Sequence, residues 1–219
     1  MDEGFWAERW QQGQIGFHQN DVHQDLVTQA ADWLAGGPKV VLVPLCGKSV
    51  DLPWLAAQGH SVIGVELIET AVEALFSTFG PGAAVAPLGP YRRWTHPAVP
   101  GLTVLQGDCL QLAAVRAQLP PIDRVWDRAA LVALDAPRRA LYAAALIEAA
   151  PGADVLLNVF DYGPDLSQGP PHSVQAAELD RLYPGRARRL VHERIEPASP
   201  GLQARGVGAL RTQTWRLAL

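Results

Sequence analysis

The sequence has little cysteine and no long apolar run, and both shortages exclude classes of protein. Its 219 residues include two cysteines, Cys46 and Cys109, which are too few for a disulfide framework. No C-x-x-C or H-x-x-x-H pattern lies near them, so we expect no metal site. The longest apolar run, residues 140–147, is far shorter than the roughly 18 residues that cross a membrane, and the acidic amino terminus is unlike a signal peptide. We therefore expect a soluble cytoplasmic protein with no membrane partner.

Positive charge is also scarce. Lys and Arg together number 18 against 22 Asp and Glu, which gives a net charge of −4. Nucleic-acid binding needs clustered cations, so a nucleic-acid partner is not expected. Only two of the basic residues, Lys39 and Lys48, are lysines, and with the many Ala, Gly and Pro residues this bias is typical of a GC-rich bacterial genome. The hydrophobic content of 48% predicts a folded chain whose length fits a single domain.

Short β-branched runs alternate with longer helical stretches from residue 39 onward, which predicts an α/β fold with a mostly parallel sheet. The seven predicted strands are residues 39–45, 61–67, 102–106, 122–127, 153–160, 188–195 and 210–219. The last two strands are expected to form an antiparallel pair at the sheet edge. The predicted flanking helices are residues 23–35, 49–58, 69–79, 137–149 and 173–182. Two long segments, residues 80–101 and 161–172, are predicted to be loops beside a site.

Ligands of parallel sheets bind beyond the carboxyl ends of the strands, so the residues that end each strand are candidate site residues. The first strand leads into a turn with one glycine, Gly47. A phosphate loop is excluded because it requires glycine where this chain has Leu42, and a dinucleotide fingerprint is excluded because two of its three glycines are missing. Glu66 ends the second strand, 21 residues after Leu45, a spacing suited to binding a ribose diol. The alternative is that Glu66 caps the next helix.

Polar residues also end the next two strands. Asp108 follows the third strand, Asp127 ends the fourth, and Arg128 comes directly after it. Three neighbouring strand ends with polar groups predict a nucleoside pocket of the S-adenosylmethionine type. The alternative for Asp127 and Arg128 is a structural ion pair, although adjacent residues of a strand point apart, which favours another partner for each. Two aromatic residues, Trp10 and Phe17, flank a glycine-containing turn near the amino terminus, and a hydrophobic staple is the alternative interpretation of this pair.

Several segments together resemble the bacterial type of the thiopurine S-methyltransferase family. They are residues 10–18 (WQQGQIGFH), 43–51 (VPLCGKSVD), 59–67 (GHSVIGVEL), 126–134 (WDRAALVAL) and 169–171 (GPP). The P-L-C-G-K-S-x-D string is specific, because most methyltransferases have a glycine-rich loop at that place. The resemblance covers most of the chain and implies a class I S-adenosylmethionine-dependent methyltransferase fold. It also implies an N-terminal cover, residues 1–38, lying over a core of residues 39–219 within one domain.

The resemblance further implies binding residues. Those for the cofactor S-adenosylmethionine, which becomes S-adenosylhomocysteine, are Trp10, Leu45, Gly47, Glu66, Asp108, Cys109 and Arg128. Among them, Glu66 would hold the ribose hydroxyls, and Asp108 and Cys109 would flank the adenine. Phe17, Arg128 and His172 would contact the acceptor. The family commonly has phenylalanine where this chain has His172, and a proline pair where it has Asp135 and Ala136, so we expect an altered acceptor preference.

Methyl transfer from a sulfonium is an in-line displacement with a neutral leaving group, so it depends on alignment more than on acid–base groups. Arg128 is the candidate catalytic residue, as a cation that favours the thiolate of a small-molecule acceptor; it cannot act as a base. The expected reaction is S-methylation of an aromatic or heterocyclic thiol, and the resemblance adds selenium and tellurium species. The alternatives are a thiol or halide methyltransferase of the same superfamily and a non-catalytic S-adenosylmethionine-binding protein. We expect a monomer.

Overall fold

A computed structural model describes residues 3–163 and 169–219. Within them, the strands are β1 (Val40–Pro44), β2 (Ser61–Glu66), β3 (Ala84–Leu88), β4 (Tyr91–Thr95), β5 (Leu102–Gln106), β6 (Arg124–Arg128), β7 (Asp154–Asp161), β8 (Arg188–Pro197) and β9 (Ala209–Ala218). The helices are α1 (Glu3–Gln11), α2 (Gln24–Trp33), α3 (Asp51–Ala57), α4 (Glu69–Ser77), α5 (Ala136–Ala149), α6 (Ala176–Leu182) and α7 (Pro200–Gln203), with 3-10 helices at Cys109–Gln118 and Leu131–Ala133. None of these described helices is both long enough and apolar enough to span a bilayer.

The strands form one mixed sheet in the order β3-β4-β5-β2-β1-β6-β7-β9-β8. The five central strands β5, β2, β1, β6 and β7 are parallel, which confirms the predicted α/β fold. β9 is antiparallel to β7, and β8 is antiparallel to β9, so β8 runs in the same direction as β7. The carboxyl ends of β1, β2, β6, β7 and β8 therefore lie at one edge of the sheet, together with the start of β9.

The prediction of seven strands is wrong, because β3 and β4 form a hairpin within residues 80–101, which were expected to be a loop. Leu88 pairs with Tyr91, so the hairpin turn has two residues, and its first residue, Gly89, has φ +55°. β4 in turn pairs antiparallel with β5. The prolines and glycines of this segment indicate a loop, but Pro87 lies on the edge strand β3, where a missing N–H is tolerated.

Apolar side chains cover both faces of the sheet. Within β1, Leu42 packs in a core on one face with the buried residues of α5, whereas Val41 and Val43 pack on the other face with α2, α3 and α4. This two-sided burial explains why the central strands are continuous apolar runs. A sheet buried in this way is a rigid base from which the strand-end residues project.

Gly64 in β2 allows close packing behind the first strand-end turn. A Cβ atom at this position would lie 2.7 Å from Leu52 Cδ2 and 2.8 Å from Cys46 Sγ. Both distances are shorter than van der Waals contact, so a larger residue would push the turn after β1 or the helix α3 away from the sheet. The turn that carries Leu45 and Gly47 is thus fixed partly by the absence of a side chain in the neighbouring strand.

Candidate active site

A cavity of about 490 Å³ lies at the edge of the sheet where the parallel strands end. Neighbouring strands of the sheet contribute successive parts of its lining. Glu66 ends β2, Leu45 follows β1, Arg128 ends β6 and Phe160 lies near the end of β7. Leu210 of β9 and Glu196 of β8 continue the lining beyond β7. The cavity therefore extends across six neighbouring strands, from Glu66 at one end to Glu196 at the other.

Two non-glycine residues of the lining have left-handed backbone conformations. Leu45 has φ +48° and Ala129 has φ +62°, and they follow the neighbouring strands β1 and β6. Each such residue costs about 1 kcal/mol or more, and strained residues of this kind cluster at ligand-binding sites. Gly47, two residues after Leu45, has φ +52° without the same cost. The backbone of this turn is thus bent sharply into the cavity.

Glu66 is buried at the end of β2, and backbone amides hold both oxygens of its carboxylate. Oε2 accepts a hydrogen bond from the Gly47 amide, and Oε1 accepts one from the Ile68 amide, each at 2.8 Å. Burial raises the pKa of Glu66, and these amides oppose the rise. Because Ile68 precedes α4, Glu66 does support the start of that helix, as the alternative interpretation expected. A carboxylate has about four lone-pair positions, so two acceptor positions remain for hydroxyl groups of a ligand.

The N-terminal cover contacts the cavity through Trp10 and Phe17. A Cβ atom at Gly47 would lie 3.3 Å from Trp10 Cζ2, so the indole lies over the turn after β1. Trp10 and Phe17 pack edge to face with their ring centroids 5.9 Å apart, and Trp6 packs on Phe17 at 5.6 Å. The three rings thus form one cluster on the outer side of the cavity, and Phe17 is 42% exposed.

Arg128 links the N-terminal cover to the sheet. Its Nη2 atom donates a hydrogen bond to the carbonyl oxygen of Phe17 at 3.1 Å. Burial lowers the pKa of Arg128, and the nearby Asp51 carboxylate partly opposes this. Asp127 faces the opposite side of β6, where it is fully buried and accepts a hydrogen bond from the Tyr142 hydroxyl at 2.7 Å. The Asp127–Arg128 ion pair considered as an alternative is therefore absent from the described residues.

Three predicted site residues lie outside this lining. Asp108 accepts a hydrogen bond from the Leu110 amide at 3.0 Å and so caps the following 3-10 helix. Cys109 is buried, and burial raises the pKa of its thiol. The His172 amide donates to the Val132 carbonyl at 2.6 Å. The roles of Asp108, Cys109 and His172 in ligand binding stay predictions.

The sequence reasoning missed the carboxyl-terminal part of the lining. This part consists of Glu196, Pro197, Ser199, Leu202 and Leu210. β8 and β9 were predicted as an edge pair, but nothing in the sequence placed the end of β8 at the ligand-binding edge. The direction of β8, parallel to β7, is the information that was missing. Among residues 3–163 and 169–219, no three His, Cys, Asp or Glu side chains are grouped as metal ligands.

The chain has the fold of S-adenosylmethionine-dependent methyltransferases, and its cavity lies at the strand ends of that fold. Solved structures with the same fold include a SAM-dependent methyltransferase from Anabaena variabilis, with a TM-score of 0.63 and 14% identity over 99% of this chain and 93% of that chain. Magnesium protoporphyrin IX methyltransferase from Synechocystis is similar with a TM-score of 0.60 and 13% identity over 99% of both chains. These likenesses concern the fold alone.

The chain belongs to the Thiopurine S-methyltransferase (TPMT) family, whose sequence profile matches residues 1–218. The thiopurine S-methyltransferase of Xanthomonas campestris pv. campestris is 39% identical over 224 residues, covering 99% of each chain. That of Xanthobacter autotrophicus is 41% identical over 184 residues, covering 84% of each chain. The family resemblance and the prediction of an S-adenosylmethionine-dependent enzyme are thereby confirmed.

Proposed function

We propose that the protein transfers a methyl group from S-adenosylmethionine to the sulfur of an aromatic or heterocyclic thiol. One observation carries the proposal: a single cavity joins the Glu66 carboxylate at one end to an apolar middle part around β6 and β7, with Arg128 between them. The apolar middle part includes Phe17, Val132 and Phe160. A flat, weakly polar ring matches such a lining.

The cofactor fits the end of the cavity at β1 and β2. When bound, S-adenosylmethionine supplies an electrophilic methyl group on a sulfonium. The free acceptor positions of Glu66 suit the two ribose hydroxyls, and the bent backbone at Leu45 and Gly47 suits its amino-acid portion. Trp10 would cover it from the solvent side. Asp108 and Cys109 remain our candidates for flanking the adenine.

Arg128 is proposed as the catalytic residue at the acceptor sulfur. A guanidinium stays protonated, so it favours the thiolate over the thiol of an acceptor that lies beside it. Its hydrogen bond to the Phe17 carbonyl fixes the side chain towards the cavity. Phe17 would then pack on the acceptor ring. His172, in the neighbouring segment, would influence which acceptor the protein prefers. Together these residues align the acceptor sulfur and exclude water.

The alternative acceptors fit this lining less well. Selenite and tellurite are strongly hydrated oxyanions, and the apolar part of the cavity recovers little of the hydration that they lose. Bisulfide and iodide each have a single heavy atom, so they make far fewer contacts with this lining than an aromatic ring does. Methylation of selenium and tellurium species therefore stays a prediction of the family resemblance and is not part of the proposal. The expected monomer stays a prediction. Its free, buried Cys46 and Cys109 suit a reducing cytoplasm.

An acceptor screen with a matched pair of variants tests the proposed function. Purified protein is saturated with S-adenosylmethionine and assayed with a mercaptopurine, benzenethiol, bisulfide, iodide and selenite. We expect the two aromatic thiols to give the largest kcat/KM. In Arg128→Ala we expect kcat to fall at least about 10-fold in a folded protein. Arg138→Ala, at an exposed position of α5 outside the cavity, should keep the wild-type rate.

Three results would overturn the proposal. Cofactor binding without turnover of any acceptor would identify a binding protein. Faster turnover of bisulfide or iodide would identify a thiol or halide methyltransferase. A wild-type rate in Arg128→Ala would remove Arg128 from the mechanism.

A further inference from the structure

The end of the cavity farthest from Glu66 contains a second carboxylate. Glu196 lies near the end of β8 and contributes to the lining with Ser199 and Leu210. It is at this edge of the sheet because β8 runs in the same direction as β7. Arg128, at the end of β6, separates Glu196 from the cofactor end in the order of the strands. If the acceptor sulfur lies at Arg128 and the cofactor occupies the Glu66 end, the remaining part of the cavity is the part beside β9 and β8.

The Glu196 carboxylate is held in place by two partners. Its Oε1 atom accepts a hydrogen bond from Arg194 Nε, and its Oε2 atom accepts one from Thr212 Oγ1 at 3.1 Å. Thr212 is 1% exposed, so this second partner is part of the buried sheet. The Glu196 side chain itself is 44% exposed. A fixed and accessible carboxylate thus lies at the acceptor end of the cavity.

Arg194, the charged partner of Glu196, also binds a second carboxylate. Arg194 also forms an ion pair with Asp25, in which its Nη1 atom lies 3.0 Å from Asp25 Oδ1, and Asp25 is only 2% exposed. The Asp25 and Glu196 carboxylates therefore share the guanidinium of Arg194. The acceptor end of the cavity thus contains the Glu196 carboxylate, whereas Arg128 carries a positive charge.

We propose that Glu196 determines acceptor specificity. It selects thiols whose end remote from the sulfur is neutral, cationic or a hydrogen-bond donor, and it rejects thiols with a second anionic group at that end. This inference rests on the proposed function, because it assumes that the acceptor sulfur lies at Arg128. The physical basis is that like charges in a partly desolvated cavity repel each other more strongly than in water.

The test compares three benzenethiols that differ only at the para position. They are benzenethiol, 4-aminobenzenethiol and 4-mercaptobenzoate, and kcat/KM is measured for each with saturating S-adenosylmethionine. In Glu196→Gln we expect the mercaptobenzoate to gain about 5- to 10-fold in kcat/KM relative to benzenethiol. The ratio of kcat/KM for these two acceptors is compared between the wild type and Glu196→Gln. In this comparison the intrinsic difference in reactivity of the two thiols and any general loss of activity cancel.

Glu193→Gln is the matched control. Glu193 lies on the same strand and loses the same charge, but it accepts a hydrogen bond from Gln213 Nε2 at 2.6 Å and does not line the cavity. Its acceptor ratio should stay at the wild-type value. A change below about 2-fold in Glu196→Gln, or an equal change in Glu193→Gln, would overturn the proposal.

Two further measurements keep the test decisive. In the wild-type protein, raising the salt concentration from about 0.05 to 0.5 M should raise the relative rate with the mercaptobenzoate about 2-fold, because salt screens the repulsion. An unchanged ratio would contradict the role of charge.

The same three compounds are also titrated into the S-adenosylhomocysteine complex. If no thiol is methylated, the proposed function fails, whereas the ratio of these dissociation constants in wild type and Glu196→Gln still tests the specificity proposal.

Discussion

Asp127 and Arg128 are adjacent on β6, yet their side chains lie in different environments. Arg128 faces the cavity, where it reaches the Phe17 carbonyl. Asp127 is fully buried beneath it and is bound by the Tyr142 hydroxyl. Successive side chains of a strand alternate between its two faces, so the sequence alone predicted that the two residues would point apart. It did not predict that Asp127 would be buried with a single short side-chain partner, because Tyr142 comes from the distant helix α5.

The burial of Asp127 makes stability depend on pH. Burial raises the pKa of Asp127 to about 6, although the hydrogen bond from Tyr142 and the nearby amides of Ala130 and Leu131 oppose the rise. The folded protein thus holds this proton to higher pH than the unfolded chain, so stability should fall as pH rises between about 4 and 6. A pKa difference of about two between the folded and unfolded states corresponds to about 3 kcal/mol at most.

Asp127→Asn should remove this penalty. We expect the stability of the variant relative to the wild type, as the difference in their free energies of unfolding, to increase by about 2 kcal/mol between pH 4 and pH 8. The reason is that only the wild type must ionise a buried carboxyl. Urea unfolding of both proteins at the two pH values measures it. A difference that does not change with pH would show that Asp127 has no raised pKa.

Glu66 should contribute to cofactor affinity through its charge. Glu66→Gln keeps an acceptor for one backbone amide but weakens hydrogen bonds to the ribose hydroxyls, since charged acceptors bind about twice as strongly as neutral ones. We expect the dissociation constant of S-adenosylhomocysteine to rise about 10-fold, as measured by calorimetry. Glu69→Gln is the control, because Glu69 is an exposed partner of Arg92 that lies outside the cavity. Equal affinities of the two variants would count against the role of Glu66.

At the scale of the elements, one buried carboxylate connects α2 with the last three strands. Asp25 of α2 accepts hydrogen bonds from Asn158 of β7 at 3.3 Å and from Thr214 of β9, and it pairs with Arg194 of β8 at 3.0 Å. Burial acts to raise the pKa of Asp25, but the bonds from Thr214 and Arg194 outweigh it, so the pKa is lowered. This network holds the second helix of the N-terminal cover on the carboxyl-terminal strands.

Removing Asp25 should therefore be costly. Asp25→Ala leaves Arg194 and two buried polar groups without their shared acceptor, and the free energy of unfolding should fall by about 3 kcal/mol. Asp32→Ala on the same helix should cost less than about 1 kcal/mol, because Asp32 pairs with Arg216 at the surface and its side chain is 74% exposed. Chemical denaturation of the two variants measures the difference. Similar losses would mean that the Asp25 network adds little to stability.

The elements also show why the sequence predicted some parts of the fold and not others. The parallel strands were found because burial on both faces makes each an apolar run, as in Val40–Pro44. The hairpin β3–β4 was missed because Ala84–Leu88 is a short edge strand with mostly exposed side chains and a proline. Glu66 and Arg128 were found as strand ends, whereas Glu196 requires the direction of β8, which depends on long-range pairing.

At the scale of the whole molecule, the cavity has two walls of different rigidity. One wall is the sheet, whose central strands are buried on both faces. The other is the N-terminal cover, whose helix α1 has no buried residue. It reaches the sheet side through the contact of Trp10 with Gly47 and the bond between the Phe17 carbonyl and Arg128. Helices without buried apolar contacts open with little free energy, so we expect α1 to be the least protected helix of the fold.

Ligand binding should therefore protect α1 selectively. S-adenosylhomocysteine in the cavity would add a surface beneath Trp10, and amide hydrogen exchange of α1 should slow about 10-fold or more at saturation. The amides of α5, which buries Tyr142 and Leu146 in the core, should exchange at the same rate with and without ligand. Trp10→Ala should reduce the protection of α1 while leaving α5 unchanged. If α1 exchanges equally fast in both states, the cover does not close on the cofactor, and Trp10 would then belong to the aromatic cluster with Phe17 alone.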